Sequence, residues 1–357
     1  MATLRPVGGE GAPVLALDIG GTKLAAGVVD AAGTVHSFVA APSEPERGPD
    51  DGLARLFELG RQAVAEAGAE IGSTGMGSTG MGSTGMGSTG MGSTGIGAVG
   101  IGCGGPLDSE RGVLLSPLHL PGWRDVPVVE LARAAFDVPA ALENDATAAA
   151  AGEHRFGAGA GTRHMVYLTV STGVGGGVVA DGRLYRGAMG NGGELGHVTV
   201  DCNGRVCRGC GRRGCLEAYA SGTSIAERAV EALAASGAPS ILRALERPTA
   251  ADVAAAARDG DALAAAVWDE TVSALACGLT SIVNLFEPEL VVLGGGVTRA
   301  GEQLIGPVRD AVRSDAVRPA GEPVGVVRSA LGDHVGIVGA ATIVYDRLAS
   351  GVMLAHG

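Results

Sequence analysis

Apolar and polar positions alternate with period two, or run together as short apolar blocks, at Val14–Asp18, Leu24–Val29, Ile96–Ile101, Ala140–Leu142, Met165–Ser171, Val178–Val179, Leu290–Leu293 and Val324–Arg328, which predicts strands there. Period 3.6 predicts helices over Leu53–Ala67, Val128–Ala135, Ala146–Arg155, Ile225–Ala235, Ala250–Arg258, Ala262–Phe286, Glu302–Ser314 and Val335–Leu348. Two pairs of strands are joined by glycine turns with no helix between them, and both read as hairpins. Strands alternating with helices give an α/β class, and 357 residues suffice for two domains. The expected boundaries are a smaller N-terminal domain over 14–140, completed by the C-terminal helix at about 335–350, and a larger one over 141–334.

One segment fits neither period. Residues 72–96 are five successive copies of G-S-T-G-M, the last ending in Ile96. So many glycines exclude a helix or stable strand, and a period of five excludes collagen, so the segment reads as an uncharged loop with no catalytic role.

Composition narrows the classes. Hydrophobic content of 46% with only 3% aromatics means cores of Ala, Val, Leu and Ile. A net charge of −12 argues against nucleic acid, whose partners present a basic face. The first residues lack an apolar signal region, and Thr271–Phe286 is too short and too interrupted to span a bilayer. The six cysteines show no disulfide framework, and a reducing cytoplasm is the expected location.

The chemistry concentrates at Glu194–Glu217, where His197, Cys207, Cys210 and Cys215 lie between two glutamates. Three thiolates and an imidazole are the tetrahedral set that zinc prefers, and Glu194 and Glu217 have hydroxyl-binding chemistry. Three glycine turns follow strands: D-I-G-G-T-K at 18–23, S-T-G-V-G-G-G at 171–177 and L-G-G-G-V at 293–297. Glycines let backbone N–H groups approach phosphate oxygens, and three such turns point to a nucleoside triphosphate. Lys23 is the single lysine among 26 basic residues. Neither the Walker pattern nor a strand–turn–helix dinucleotide fingerprint is present. At Glu143-Asn144-Asp145 a carboxylate and an amide sit between a strand and a helix; Asp145 is either a base for an acceptor hydroxyl or the helix N-cap.

Taken together, D-I-G-G-T-K, E-N-D-A, S-T-G-V-G-G-G, E-L-G-H and C-x2-C-G-x2-G-C-L-E resemble the ROK family (repressors, open reading frames and sugar kinases) in order and separation, from about Leu15 to Ala349. The resemblance implies an actin-like ATPase (ribonuclease H-like) fold of two α/β domains, with a cleft between them. It implies an ATP- and Mg2+-dependent sugar kinase, most often acting on glucose, with N-acetylmannosamine, N-acetylglucosamine, fructose and allose as other acceptors. Asp145 is then the base. Gly104, Gly105, Asn144, Glu194, His197 and Glu217 bind the sugar, and Asp18 serves the magnesium. Gly20, Gly21, Thr22, Lys23, Thr172 and Gly173 cradle the ATP phosphates, and Gly294, Gly295 and Gly296 lie by the adenosine. His197, Cys207, Cys210 and Cys215 hold a structural Zn2+. A homo-oligomer, dimer or tetramer, is implied as well, with no nucleic-acid or membrane partner. The family's repressors carry a DNA-binding helix-turn-helix ahead of Asp18, for which this sequence shows no room. Two departures stand out: Cys-x2-Cys replaces the usual Cys-x-Cys, leaving Cys202 as a rival thiolate, and His119 stands where an Asn is common.

Overall fold

The computed structural model describes residues 11–74, 95–188, 190–319 and 324–351. The first part of the chain forms β1 (Val14–Ile19), β2 (Lys23–Val29), β3 (Val35–Pro42), α1 (Pro49–Thr74), β4 (Ala98–Cys103), β5 (Leu107–Asp108), β6 (Val113–Leu114), α2 (Val128–Phe136), β7 (Ala140–Asn144) and α3 (Asp145–Phe156). Then come β8 (Met165–Val170), β9 (Val174–Ala180), β10 (Arg183–Tyr185), α4 (Glu217–Ala220), α5 (Gly222–Ala235), α6 (Ala250–Arg258), α7 (Ala262–Phe286), β11 (Leu290–Gly294), α8 (Glu302–Asp315), β12 (Gly325–Arg328) and α9 (Val335–Ala349).

These elements form two units, Met1–Phe156 with Asp333–Gly357, and Gly157–Gly332. The first has a five-stranded sheet in the order β3-β2-β1-β4-β7, the second a five-stranded sheet in the order β10-β9-β8-β11-β12. Both sheets begin with an antiparallel meander of three strands and continue with two parallel ones. One topology is therefore used twice in the chain.

The first core is built on Leu15, Leu17, Ile19, Leu24, Ile101 and Leu142, with Trp123 the largest buried side chain. Helix α3 is Ala-rich because both its faces are covered: Ala146–Ala151 are all buried, and α9 packs against it. The approach is so close that a Cβ at Gly339 would come within 2.3 Å of the Ala148 carbonyl oxygen. The second core combines Val166, Leu168 and Leu293 of the sheet with Leu275, Leu279 and Ile282 of α7. Helix α7 is, among the described residues, the one helix long and apolar enough by composition to cross a membrane, and half of its most apolar window is buried inside the protein. Its start is fixed by Asp261, whose carboxylate accepts the N–H groups of Leu263 and Ala264 at 3.0 Å each.

Several features differ from the sequence reading. Strand β3 has no counterpart in it. The strand lies at the sheet edge, its burial is irregular, and its buried Ser37 is polar, with Oγ accepting the Val28 N–H at 3.1 Å. Residues 140–156 belong with the first unit, so residue 140 is not its end: β7 pairs in parallel with β4 from Val99↔Ala140 to Cys103↔Asn144. Gly175–Gly177 are not part of a turn but strand residues of β9, paired with Thr169, Leu168 and Tyr167. Helix α1 continues through Thr74, into the first repeat copy. Residues 75–94, the bulk of the G-S-T-G-M run, lie outside the described residues.

Candidate functional site

In the first unit, the parallel register of β1, β4 and β7 aligns three strand ends. Asp18 pairs with Gly102, Gly102 with Glu143, and Cys103 with Asn144. Asp18, Gly104, Gly105, Asn144 and Asp145 are thereby brought to the carboxyl end of one sheet, where open α/β sheets bind their ligands. A Cβ on Gly102 would sit 3.7 Å from Asp18 Oδ1 and 3.8 Å from Asp145 Cα. One on Gly104 would lie 3.8 Å from Asp145 Oδ2, and one on Gly105 would lie 3.8 Å from Asn144 Nδ2.

The two meanings left open for Asp145 separate here. Asn144 caps α3, its Oδ1 accepting the Ala146 and Thr147 N–H groups at 3.0 and 3.1 Å. Asp145 accepts the Ala146 N–H through Oδ1 at 2.7 Å, while Oδ2 faces Gly104. Both aspartates are half-buried and close enough to repel. Burial first, then the Asp145 charge, pushes the Asp18 carboxyl up to about 7, against the pull of Lys23. Burial also raises Asp145, opposed by the Ala146 N–H and by the His119 ring. A carboxylate raised from its usual range is better suited to accept a proton near neutrality.

Gly20, Gly21 and Thr22 make the turn between β1 and β2, with the Gly20 N–H donating to the Lys23 carbonyl at 2.9 Å. Lys23 opens β2, exposed, with its Nζ 5.6 Å from the centre of the Phe38 ring. His119 is packed on this turn: a Cβ on Gly21 would meet His119 Cβ at 2.7 Å. The position noted as a departure thus adjoins both the turn and the catalytic candidate. Gly336 gave no signal in the sequence. It lies in the first turn of α9, against Asp18, where a Cβ would come within 2.4 Å of Asp18 Oδ2.

In the second unit two glycine turns are neighbours, because β8 and β11 are parallel partners with Gly294 opposite Thr169. Ser171, Thr172 and Gly173 link β8 to β9, and the Ser171 N–H donates to the Gly173 carbonyl at 2.9 Å. Gly294 ends β11, Gly295 follows, and Gly296 opens a single 3-10 turn to Ala300.

His197, Cys207, Cys210 and Cys215 converge in the same unit, with their ligand atoms all within 4.8 Å of one another. Cys210 Sγ and Cys215 Sγ are 3.5 Å apart, and Cys207 Sγ is 3.7 Å from His197 Nδ1. Zinc arms of about 2.3 Å in a tetrahedron have edges of about 3.8 Å, so the donor set and its spacing both suit Zn2+. Cys202 lies outside this group. The Gly209 and Cys210 N–H groups point at the Cys207 sulfur, although burial pushes that thiol up to about 12. A cation there favours the thiolates instead. Gly209 lies close to Glu217: a Cβ there would come within 2.7 Å of Glu217 Oε1 and displace that carboxylate. Glu194 approaches from the other side, its Oε2 3.9 Å from His197 Nε2. The arginines around the cysteines lie at the surface, each with a partner. Arg205 makes two bonds to Glu231 (2.6 and 2.7 Å), Arg208 pairs with Glu227, Arg212 bonds Thr199 Oγ1 (3.1 Å), and Arg213 bonds the Gly204 carbonyl (3.1 Å).

The comparisons with known proteins agree with these observations. The ROK family profile matches residues 88–347, and this chain belongs to the ROK family. A glucokinase of Thermotoga maritima is 37% identical over 343 residues, which covers 94% of this chain and 98% of that protein. A solved ROK family glucokinase from Streptomyces griseus, in complex with glucose and AMPPNP, superposes with a TM-score of 0.74 at 32% identity, over 93% of this chain and 98% of that one. The fold is that of the actin-like ATPases. A xylose repressor of Bacillus subtilis is 30% identical over 242 residues, 68% of this chain and 59% of the repressor.

Proposed function

We propose that this protein is an ATP-dependent sugar kinase that phosphorylates a hexose hydroxyl, with glucose converted to glucose 6-phosphate as the leading case. The observation that carries the reading is the state of Asp145: its neighbour Asn144 takes the capping role, its Oδ2 faces Gly104, and burial lifts its affinity for a proton. Asp145 accepts the proton of the acceptor hydroxyl as that oxygen attacks the γ-phosphorus, the bond from that phosphorus to the β,γ-bridging oxygen breaks, and ADP leaves. Asn144, Gly104 and Gly105 line the hydroxyl-binding side of this strand end, and Glu194, His197 and Glu217 bind further hydroxyls. Backbone N–H groups of Gly21 and Thr22, in the turn that Gly20 closes, hold phosphate oxygens together with Lys23 and the N–H groups of Thr172–Gly173, and Gly294–Gly296 lie by the adenosine.

Mg2+, when bound, offsets charge on the transferring group. Asp18 is a hard oxygen donor at this strand end, and a cation beside it would reverse the push that raises its pKa. Zn2+ on His197, Cys207, Cys210 and Cys215 keeps the loop bearing His197 and preceding Glu217 in shape. The similarity to glucokinases underlies the expectation of a cytoplasmic homo-oligomer acting on small molecules. The two compact units are proposed to correspond to the two functional lobes.

The competing reading is a sugar-responsive repressor without catalysis, favoured by the likeness to the xylose repressor. A coupled ADP-release assay across glucose, fructose, allose, N-acetylglucosamine and N-acetylmannosamine decides between them. Turnover on one hexose well above the others is expected. Sugar binding with no ADP release on any member of the panel would leave the repressor reading standing.

A further inference from the structure

Arg228, on α5, is a deeply buried charged side chain that the proposed reaction does not use. It is 3% exposed, and both of its terminal nitrogens are engaged while the buried Nε has no partner. Nη1 donates to the Val267 carbonyl at 3.0 Å and to Glu270 Oε2 at 2.7 Å. Nη2 donates to the Tyr219 carbonyl at 2.7 Å and to Thr271 Oγ1. Three of these acceptors belong to the long core helix α7. The fourth belongs to α4, a helix of four residues. So short a helix has no stability of its own and takes its position from what holds it.

What α4 holds in turn is the turn after β8. Glu217, its first residue, accepts the Val174 N–H through Oε2 at 3.0 Å. Just beyond its other end, the Gly222 N–H donates to the Ser171 carbonyl at 2.7 Å. That approach is tight, since a Cβ on Gly222 would lie 3.0 Å from the same oxygen. The Ser171–Val174 turn is therefore held at one end by α4, through Glu217, and at the other by Gly222, the first residue of α5. Tyr219 adds a third tie, its Oη accepting the Arg205 N–H at 2.9 Å, two residues ahead of Cys207.

We infer that Arg228 is a positioning residue for nucleotide binding: by fixing α4 and its own helix α5 to α7, it sets the Ser171–Val174 turn through Glu217 of α4 and Gly222 of α5. The inference rests on the kinase reading, which gives Thr172 and Gly173 their phosphate. The guanidinium suits the task because its planar fork reaches two helices at once, whereas a lysine ammonium is a single point of charge.

The test compares wild type with Arg228→Met, Arg228→Lys and a control, Val312→Ala. Val312 is a buried residue of α8, which packs on α7 and β12, and its truncation leaves a cavity away from α4. The measurements are KM for ATP, KM for hexose, kcat, thermal midpoint, and amide exchange over residues 171–176. Arg228→Met is expected to raise KM for ATP about tenfold and to speed that exchange, Arg228→Lys to do both less, and Val312→Ala to lower the midpoint alone. Wild-type KM for ATP and wild-type exchange in Arg228→Met, with a midpoint lowered as in the control, would overturn the inference. If Arg228→Met does not fold, Arg228→Lys decides by the same exchange measurement. Wild-type protein that phosphorylates no sugar would sink the kinase reading and with it the nucleotide role. Exchange at 171–176 would still report separately whether Arg228 holds the turn.

Discussion

The two clusters of polar residues are organised by different means. The carboxylate end of the first unit is fixed by a β-ladder: Asp18, Gly102 and Glu143 are register partners across three parallel strands. The cysteine loop of the second unit has almost no ladder. Residues 198–216 contribute isolated bridges, Thr199↔Cys215 and Val206↔Arg213, and are otherwise held by loop backbone hydrogen bonds, ion pairs and the convergence of their three cysteines with His197. The first cluster takes its geometry from strand register and holds two aspartates in one strand-end region, where they repel. The second has few paired strands and gathers its ligands on irregular backbone. Chemistry placed on a ladder can tolerate repulsion. Chemistry placed on a loop needs a cross-link, which a bound metal supplies.

The sharpest way to break this contrast is to remove the reactive group while leaving the ladder intact. Asp145→Asn should lower kcat by about 10²–10⁴-fold, the span of general-base catalysis, with sugar affinity changed far less. Because Asn144 supplies the cap, the thermal midpoint should stay close to wild type. Steady-state kinetics and a melting curve check both halves, and turnover near wild type would refute the role of Asp145.

Next in size is loss of the cross-link. Cys210→Ser, or chelation of the wild type, should destabilise the second unit by several kcal/mol and weaken sugar binding, because a structural zinc contributes to folding. Proteolysis should then begin within residues 198–216 and spare the first unit. Full stability and turnover in protein shown by metal analysis to hold no zinc would remove the metal from the account.

The smallest expected effect tests the repulsion itself. A carboxyl whose folded pKa is raised binds more protons in the native state, so its favourable contribution is complete below the ordinary value of 3.8 and is lost as pH rises through about 7. Ligand-free protein should therefore lose stability between about pH 4 and pH 7 from this source. Asp18→Asn should flatten that slope and be more stable than wild type at pH 8. The full shift corresponds to about 4 kcal/mol, and 1–3 kcal/mol is a better expectation (roughly) because Asp18 keeps contact with solvent. Denaturant melts at pH 5 and pH 8 supply the numbers, and an unchanged slope in Asp18→Asn would show that the pair is not strained.

Much of this was legible in the chain. The limits of α6 and α7 follow directly from their apolar spacing and caps, and the four metal-ligand candidates follow from residue type and separation. The parts that were not legible depend on neighbours distant in sequence. Strand β3 has a polar residue inside and depends on β2 for its pairing. Gly175–Gly177 resemble a turn until β8 is laid beside them and Leu195 fills the space a Cβ at Gly176 would need. The linear pattern also could not choose between Asn144 and Asp145 as the cap, since both types cap helices equally well.

The sequence alone determined the class of elements, the metal-type donor set, the glycine turns and the family resemblance, because those properties reside in residue type and local spacing. Only the tertiary structure decided that Asp18 and Asp145 repel, that Gly336 must be small against Asp18, and that Arg228 reaches the Ser171–Val174 turn through a four-residue helix and through its own helix α5. Each of these depends on through-space distance between groups separated by many residues, set by strand register and helix packing, which a linear pattern does not encode.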